Sequence, residues 1–229
     1  MKNHVTLLVV ILSVLMLMFP TKVQASEIET TYVFIGDSRF CGMANGKGIG
    51  NTRTTAYGGN GTQVITKSGN IYWCAEVGTS INSFRGTADS ILNGLDKDHT
   101  IIIYELGVNA PSNINSDINY CNNLVDNGWT VYFCDLLPIN NYSAENNVIW
   151  ANNQIYANEG KYKVIRFHDN VDVNRSDSLG YHYDYYTYNQ WYDTIMENAI
   201  IEEPTEQYEE VFDYTNQIIN MVNYLLMND

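Results

Sequence analysis

Four residues stand at the ends of predicted strands or just beyond the last of them: Ser38, Gly78, Asn109 and His182. A serine hydroxyl can attack a carbonyl once a base takes its proton, and an imidazole that titrates near neutral pH suits that role. The tetrahedral intermediate needs donors aimed at its oxyanion, and the backbone N–H groups of Ser38 and Gly78 and the amide of Asn109 would supply three. If the fold brings these residues together, the chemistry they predict is acyl transfer.

The segment that leads to Ser38 is the apolar run at residues 32–35, which ends abruptly at Gly36-Asp37-Ser38. A short apolar run bounded by turn residues predicts a buried parallel strand, and the residues that follow can start a helix. Ser38 would then lie at the carboxyl edge of the sheet and at a helix N-terminus, which favours a developing anion. A serine in this position is either a nucleophile or an ordinary helix N-cap, and the pattern leaves both interpretations open.

The rest of the chain alternates between strand-like and helical patterns. The predicted strands are at 63–66, 71–77, 100–106, 129–137 and 163–167, and the predicted helices at 84–95, 115–125, 144–158 and 185–201. This alternation predicts βαβ units, and hence an α/β fold whose parallel sheet carries helices on both faces. Because parallel strands place their carboxyl ends at one edge, the four candidate residues can converge there.

The N-terminal segment at residues 1–25 has the layout of a cleaved secretory signal. A lysine near the start is followed by an apolar run at 5–19, a proline and small residues before Ser26. The run is shorter than the about 20 residues of a membrane span. We therefore expect export and no membrane association after cleavage near Ala25. Loss of the segment's two lysines changes the net charge from −14 to −16, which argues against nucleic acid or an anionic membrane as a partner.

Four motifs follow one another in a fixed order along the chain. They are Phe-Ile-Gly-Asp-Ser-Arg at 34–39, Gly78, Gly-Val-Asn at 107–109 and Gly-Tyr-His-Tyr at 180–183. In this order and at these separations they resemble the SGNH, or GDSL-type, hydrolase superfamily, and most closely its exported bacterial members. The resemblance covers about residues 31–200.

This resemblance implies a three-layer α/β/α sandwich with a flavodoxin-like parallel sheet, formed by a domain at residues 26–203. It implies hydrolysis of an ester substrate, with Ser38 as nucleophile and His182 as base. It also implies that Gly78 and Asn109 join Ser38 in holding the oxyanion. The chemistry requires no metal ion or organic cofactor.

One position departs from the family pattern. The family usually has an aspartate three residues before the histidine, and Leu179 occupies that place here. The nearest earlier acid is Asp177, five residues before His182. Asp177 reaches the imidazole if the loop bulges by two residues, and otherwise a backbone carbonyl orients the ring. Ala110 also stands where the family commonly has an aspartate.

Several neighbours of these motifs have their own interpretations. Asp37 is expected to be a structural hydrogen-bonding residue of the turn, and His168 a capping or surface residue rather than a second base. Arg39 is expected on the surface of its helix, with contact to the substrate as the alternative. Tyr181 and Tyr183 flank the base and are candidates for stacking on a sugar ring.

The C-terminal residues 204–229 have apolar positions at helical spacing and an acidic start, which predicts an amphipathic helix packed on the domain. The four cysteines form no C-x-x-C pair and lack the spacing of a metal site. Two of them, Cys121 and Cys134, lie in predicted core elements. We expect no disulfide.

Two functional hypotheses remain. The first is an exported serine esterase that removes acetyl or other short acyl groups from a carbohydrate or cell-wall polymer, and an acyltransferase would use the same residues. The second is a non-catalytic carbohydrate-binding relative on the same scaffold, which the absence of aspartate at position 179 favours. The presence of all four candidate residues favours the esterase, which is our prediction.

Overall fold

The computed structural model describes residues 29–49 and 63–200, so the predicted signal at 1–25 and the predicted helix at 204–229 lie outside the described residues. The strands are β1 Thr31–Gly36, β2 Gln63–Ser68, β3 Ile71–Glu76, β4 Thr100–Glu105, β5 Thr130–Cys134 and β6 Lys163–Ile165. The α-helices are α1 Ser38–Gly46, α2 Ile81–Leu92, α3 Ile114–Asp126, α4 Tyr142–Tyr156 and α5 Tyr185–Asn198. None of these helices is long and apolar enough to cross a membrane.

All six strands belong to one sheet, in the order β2-β3-β1-β4-β5-β6. Five strands are parallel, and β2 runs antiparallel to β3 at one edge. A tight turn that contains Gly69, at φ +60°, joins β2 to β3, and so short a connection can link only antiparallel neighbours. The expectation of a parallel sheet is therefore confirmed for the five-stranded body and wrong for its edge strand.

The order of the five parallel strands is flavodoxin-like, and it creates a switch point between β1 and β4. From β1 the chain crosses to β3 on one side, then returns to β4 on the other side of β1. Connections on either side of such a point diverge and leave a crevice at the carboxyl ends of the two strands, where ligands bind in open α/β sheets. The topology thus places the segments after β1 and β4 around one crevice.

Two hydrophobic cores lie on opposite faces of the sheet, because successive strand residues point to opposite sides. Val33 and Ile35 pack on the face covered by α2, α3 and α4. Phe34 packs on the other face with Phe40 of α1 and Trp191 of α5. Strand β4 is buried along its whole length, as expected for a central parallel strand. The predicted three-layer α/β/α sandwich is confirmed.

Two boundaries near the crevice differ from the prediction. Helix α2 begins at Ile81, three residues before the predicted 84, because Ser80 and Ser83 form a capping box. Strand β5 ends at Cys134 rather than at 137. Residues 135–141 therefore form a connection, which we name the β5–α4 loop, and it runs along the crevice.

Candidate active site

Ser38 lies directly after β1 as the first residue of α1. The helix N-cap is Asp37, whose Oδ1 accepts a hydrogen bond from the Arg39 backbone N–H at 2.9 Å. The N-cap interpretation of Ser38 is therefore wrong, and its hydroxyl has no capping role. Its own backbone N–H belongs to the first helical turn, whose N–H groups lack intrahelical acceptors and point toward the crevice.

His182 links Ser38 to a carboxylate. Its Nε2 lies 2.9 Å from the Oγ of Ser38, and its Nδ1 lies 2.8 Å from Oδ2 of Asp177. A carboxylate only accepts hydrogen bonds, so the ring proton belongs on Nδ1, which leaves Nε2 to accept from the serine hydroxyl. A nucleophile, a base and a group that orients the base thus form one continuous chain of hydrogen bonds.

The turn at residues 177–182 explains how an acid five positions before the histidine reaches the imidazole. Oδ1 of Asp177 accepts from the backbone N–H groups of Leu179 and Tyr181, each at 3.1 Å, and the Asp177 N–H donates to the carbonyl of His182 at 2.8 Å. Gly180 supports the turn with a φ of +77°, which glycine adopts without steric cost. Leu179 points outward and is 70% exposed.

The same contacts set the ionisation of Asp177. Its partial burial favours the neutral form, but the hydrogen bonds from His182 and from the Tyr181 backbone outweigh that effect and lower the pKa of Asp177 below its usual value. The carboxylate is therefore charged at neutral pH. A charged acceptor on Nδ1 favours the imidazolium that forms when His182 takes a proton.

Gly78 and Asn109 lie at the same edge. Gly78 follows β3 with a φ of +73° and is exposed, and apart from its two chain neighbours no described residue has an atom within 4 Å of the place where a Cβ would stand. Asn109 follows β4, and its Nδ2 donates to Oδ2 of Asp37 at 3.0 Å and to the carbonyl of Thr79 at 3.1 Å. The amide of Asn109 thus joins the turn that carries Ser38 to the segment after Gly78.

Arg39 does not occupy the position expected for it. Its side chain is fully buried, where Nε donates to the carbonyl of Tyr181 at 2.9 Å and Nη1 to the carbonyl of Leu137 at 3.0 Å. Both the surface placement and the substrate contact are wrong for Arg39, because the β5–α4 loop and the turn before His182 cover the first turn of α1.

The two tyrosines beside His182 differ from each other. Tyr183 is fully buried, and its hydroxyl donates to the carbonyl of Pro138 at 2.7 Å, so its predicted stacking on a sugar is wrong. Tyr181 is only half-buried and lines an open groove of about 290 Å³. The other lining residues are Val108, Asn109, Pro111, Ile139, Ala144 and Asn147.

His168 lies on the same edge but faces other partners. Its Nε2 lies 2.8 Å from Oε1 of Glu145 and its Nδ1 2.9 Å from Oδ1 of Asp169. Burial alone would lower the pKa of His168, but these carboxylates raise it above the usual value. Glu145 also accepts from the backbone N–H of Ile139 at 2.6 Å. The pair of His168 and Glu145 therefore holds the β5–α4 loop.

A buried acid near the site, Glu105, which ends β4, was not predicted from the sequence. It is fully buried and lies 3.9 Å from Nη1 of Arg39. Burial and the negative charge of Asp37 raise the pKa of Glu105 well above its usual value. A charged residue inside the otherwise apolar run at 100–106 was the available signal. Among the described residues, no cluster of three or more histidine, cysteine, aspartate or glutamate side chains is arranged to hold a metal ion.

Comparison with known proteins finds similarity in structure only. No family model matches the sequence. No curated protein matches it either. Two similar solved structures are a member of the lipolytic G-D-S-L family from Veillonella parvula, at 15% identity and TM-score 0.52, and a GDSL-like lipase from Bacteroides thetaiotaomicron, at 14% identity and TM-score 0.53. The matches cover 74% and 73% of this chain, and 97% and 86% of those chains.

This protein has the SGNH, or GDSL-type, hydrolase fold. The C-terminal catalytic domain of peptidoglycan O-acetyltransferase A from Streptococcus pneumoniae shares it, at 13% identity and TM-score 0.52 over 74% of this chain and 92% of that domain. The family resemblance in the sequence motifs is thus confirmed at the level of fold. At such identities the fold alone is shared, and the chemistry has to be argued from the side chains of this chain.

Proposed function

We propose that this protein is a serine-dependent acyl-ester hydrolase or acyltransferase, and more specifically an exported esterase that removes acetyl or other short acyl groups from a carbohydrate or cell-wall polymer. The observation that carries the proposal is the hydrogen-bonded chain from Asp177 through His182 to Ser38. It also answers the argument for a non-catalytic relative, because Asp177 supplies the carboxylate that position 179 lacks.

The proposed reaction starts when the Oγ of Ser38 attacks the ester carbonyl while Nε2 of His182 takes its proton. The imidazolium, stabilised by Asp177, then protonates the leaving alcohol as the tetrahedral intermediate collapses to an acyl-enzyme. A water molecule, deprotonated by His182, attacks this intermediate and releases the acid and the free serine. In a transferase, a sugar hydroxyl would take the place of water in this second half.

The oxyanion would be held by the backbone N–H groups of Ser38 and Gly78 and by Nδ2 of Asn109. In the structure both hydrogens of the Asn109 amide have protein acceptors, Asp37 and Thr79. We infer that the hydrogen bond to the Asp37 carboxylate holds the amide, while the forming oxyanion competes with the Thr79 carbonyl for the second N–H. A neutral carbonyl holds a hydrogen bond less strongly than a charged oxygen does.

The groove beside Tyr181 and Asn109 supports a small substrate group. Its volume of about 290 Å³ is at the lower end of the range of ligand sites, roughly 300–1,000 Å³. This size is sufficient for a short acyl group or one sugar ring. The fold shared with a peptidoglycan O-acetyltransferase domain is in keeping with acetyl chemistry on a polymer. Export rests on the predicted signal at 1–25.

The test is hydrolysis of p-nitrophenyl acetate and labelling with an organophosphonate, comparing the wild type with Ser38→Ala. Burst hydrolysis and labelling should both occur in the wild type and both disappear in the variant. Ser112→Ala, which changes an exposed serine, is the matched control and should retain both. Absence of turnover and labelling in the wild type, or labelling that survives in Ser38→Ala, would overturn the proposal.

If the enzyme is active, acetylated polysaccharides distinguish the two forms of the reaction. A hydrolase releases acetate whether or not a second sugar is present. A transferase moves the acetyl group to an added sugar acceptor, which mass spectrometry of the acceptor detects. Hydrolysis of long-chain esters at rates above those of acetyl esters would contradict the small acyl group inferred from the groove.

A further inference from the structure

Arg39, the residue after the nucleophile, makes a hydrogen bond to the residue before the base. It directly follows Ser38 in α1, and its Nε donates to the carbonyl of Tyr181, which directly precedes His182. Its Nη1 donates to the carbonyl of Leu137 in the β5–α4 loop. One buried side chain thus fastens the start of α1 to both loops that cover it.

Tyr183 makes a second connection on the other side of His182. Its hydroxyl donates to the carbonyl of Pro138 at 2.7 Å, and its backbone N–H donates to the hydroxyl of Tyr188 at 3.1 Å. The residues on either side of His182 are therefore both tied to the stretch Leu137–Pro138, one through Arg39 and one through Tyr183. The position of the imidazole depends on this shared anchor.

We propose that Arg39 and Tyr183 are positioning residues that fix His182 relative to Ser38. This inference rests on the proposed function, since it concerns the same hydrogen bond of 2.9 Å between Nε2 and Oγ. Neither side chain contacts solvent, so both act through His182 and not on the substrate. The planar guanidinium suits the task, because it presents several donors in a fixed fork where a lysine offers only a point charge.

The guanidinium of Arg39 lies near two buried acids. Glu105 lies 3.9 Å from its Nη1 and is fully buried, as is Asp37 on the turn before Ser38. A buried guanidinium favours acidic neighbours, because an unpaired charge in the interior is costly, and the guanidinium opposes the rise in pKa that burial causes at both acids. The acidic partners lie at the ends of β1 and β4, so the arginine head is held at the switch point while its hydrogen bonds reach out to the two loops.

The experiment measures kcat and KM of Arg39→Lys and Tyr183→Phe with p-nitrophenyl acetate. A misplacement of a reacting group by about 1 Å costs about 100-fold, so we expect Arg39→Lys to lower kcat about 100-fold. Loss of one hydrogen bond in Tyr183→Phe should lower kcat about tenfold. In both variants KM should stay within about threefold, because neither residue binds substrate.

A second readout does not depend on turnover. In protein labelled with ¹⁵N-histidine, the Nδ1–H proton of His182 is identified by its absence in His182→Gln. Its exchange with water should accelerate about tenfold or more in Arg39→Lys and Tyr183→Phe, since a loosened ring opens its bond to Asp177 more often. If the wild type neither turns over nor labels, the proposed function fails, and this exchange rate alone decides the positioning role.

Three controls separate positioning from general destabilisation. Tyr162→Phe removes another buried hydroxyl that donates to a backbone carbonyl, that of Ile155 at 3.2 Å. Arg166→Lys makes the same arginine exchange at an exposed pair with Glu159. Leu92→Ala creates a cavity in the core at the C-terminal end of α2, and it lowers the Tm without changing the residues around His182. It therefore controls for the loss in Tm that Arg39→Lys and Tyr183→Phe cause. All three should retain the kcat and the proton exchange of the wild type.

The proposal is overturned if the folded variants keep kcat within about threefold and the exchange rate unchanged, or if Leu92→Ala reproduces their effects. If Arg39→Lys does not fold, Tyr183→Phe decides alone, because it removes one oxygen atom from a ring of the same shape. A fall in kcat with unchanged KM and a faster exchange in Tyr183→Phe would then support the proposal, and wild-type values in both would refute it.

Discussion

Replacing Asp177 by asparagine isolates the contact that completes the proposed triad. The asparagine oxygen can still accept from the backbone N–H groups of Leu179 and Tyr181, so the turn is retained. The change falls on the contact of 2.8 Å to Nδ1 of His182, where an NH₂ donor now meets an N–H donor. The imidazole relieves this clash by moving its proton to Nε2, and that nitrogen can then no longer take a proton from Ser38.

We expect kcat/KM for p-nitrophenyl acetate to fall about 10⁴-fold in Asp177→Asn, as in other enzymes that lose the triad acid in this way. This corresponds to about 5.5 kcal/mol of transition-state stabilisation. The size of the effect follows from the wrong tautomer and not from lost stability, because Asp177 is partly exposed and its turn persists. Thermal unfolding of the variant should therefore stay close to that of the wild type.

The chain supplies a matched control. Asp169 also lies 2.9 Å from a histidine Nδ1, that of His168, but its side chain is 98% exposed. Asp169→Asn should change kcat/KM by less than about twofold, since an exposed pair contributes little. If Asp177→Asn retains more than about a tenth of the wild-type kcat/KM, the carboxylate does not set the tautomer, and the reasoning from the turn geometry is refuted.

Two further predictions concern the loops around the site. In Gly180→Ala the new Cβ would lie 2.8 Å from the backbone nitrogen of Asn140, at a φ of +77°. Activity should therefore fall together with stability, whereas Gly128→Ala, which has φ +87° but open space, should lower stability alone by about 1 kcal/mol. The pKa of His168 is raised in the folded state, so its stabilisation is complete below about pH 6.5 and is lost as pH rises through the folded pKa. In urea unfolding, the advantage of the wild type over His168→Gln should shrink as the pH rises above about 6.5, and a constant advantage would contradict the ion pair with Glu145.

The edge of the sheet that carries the site could be predicted because it depends on strand ends. A buried parallel strand is a short apolar run, and its last residue is visible where the run breaks, as at Gly36 and Gly107. Once the strands are known to be parallel, their carboxyl ends share one edge. Ser38, Gly78 and Asn109 therefore needed no knowledge of loop conformation to be placed near one another.

The paths of the loops could not be predicted in this way, because no periodic sequence pattern describes them. The burial of Arg39 depends on the β5–α4 loop lying over α1, and that path is set by side-chain contacts from Glu145 and Asn152 of the helix that follows the loop. The prediction for Arg39 placed it on the surface of its helix, and the sequence of that helix does not show which loops cover it. The prediction for Tyr183 was wrong for the same reason, because the β5–α4 loop covers its ring. Tyr181, two residues earlier, does line the groove.

The position of the acid shows that a carboxylate five residues before the histidine can still contact its imidazole. Here the chain folds back at Gly180, and the turn is closed by backbone hydrogen bonds from Asp177 to His182 and from Gly180 to Asp177. This fold adds two residues between acid and base while keeping the carboxylate in contact with the ring. Because Asp177 fastens the turn with one oxygen and faces His182 with the other, the residue that builds the loop is also the residue that orients the base.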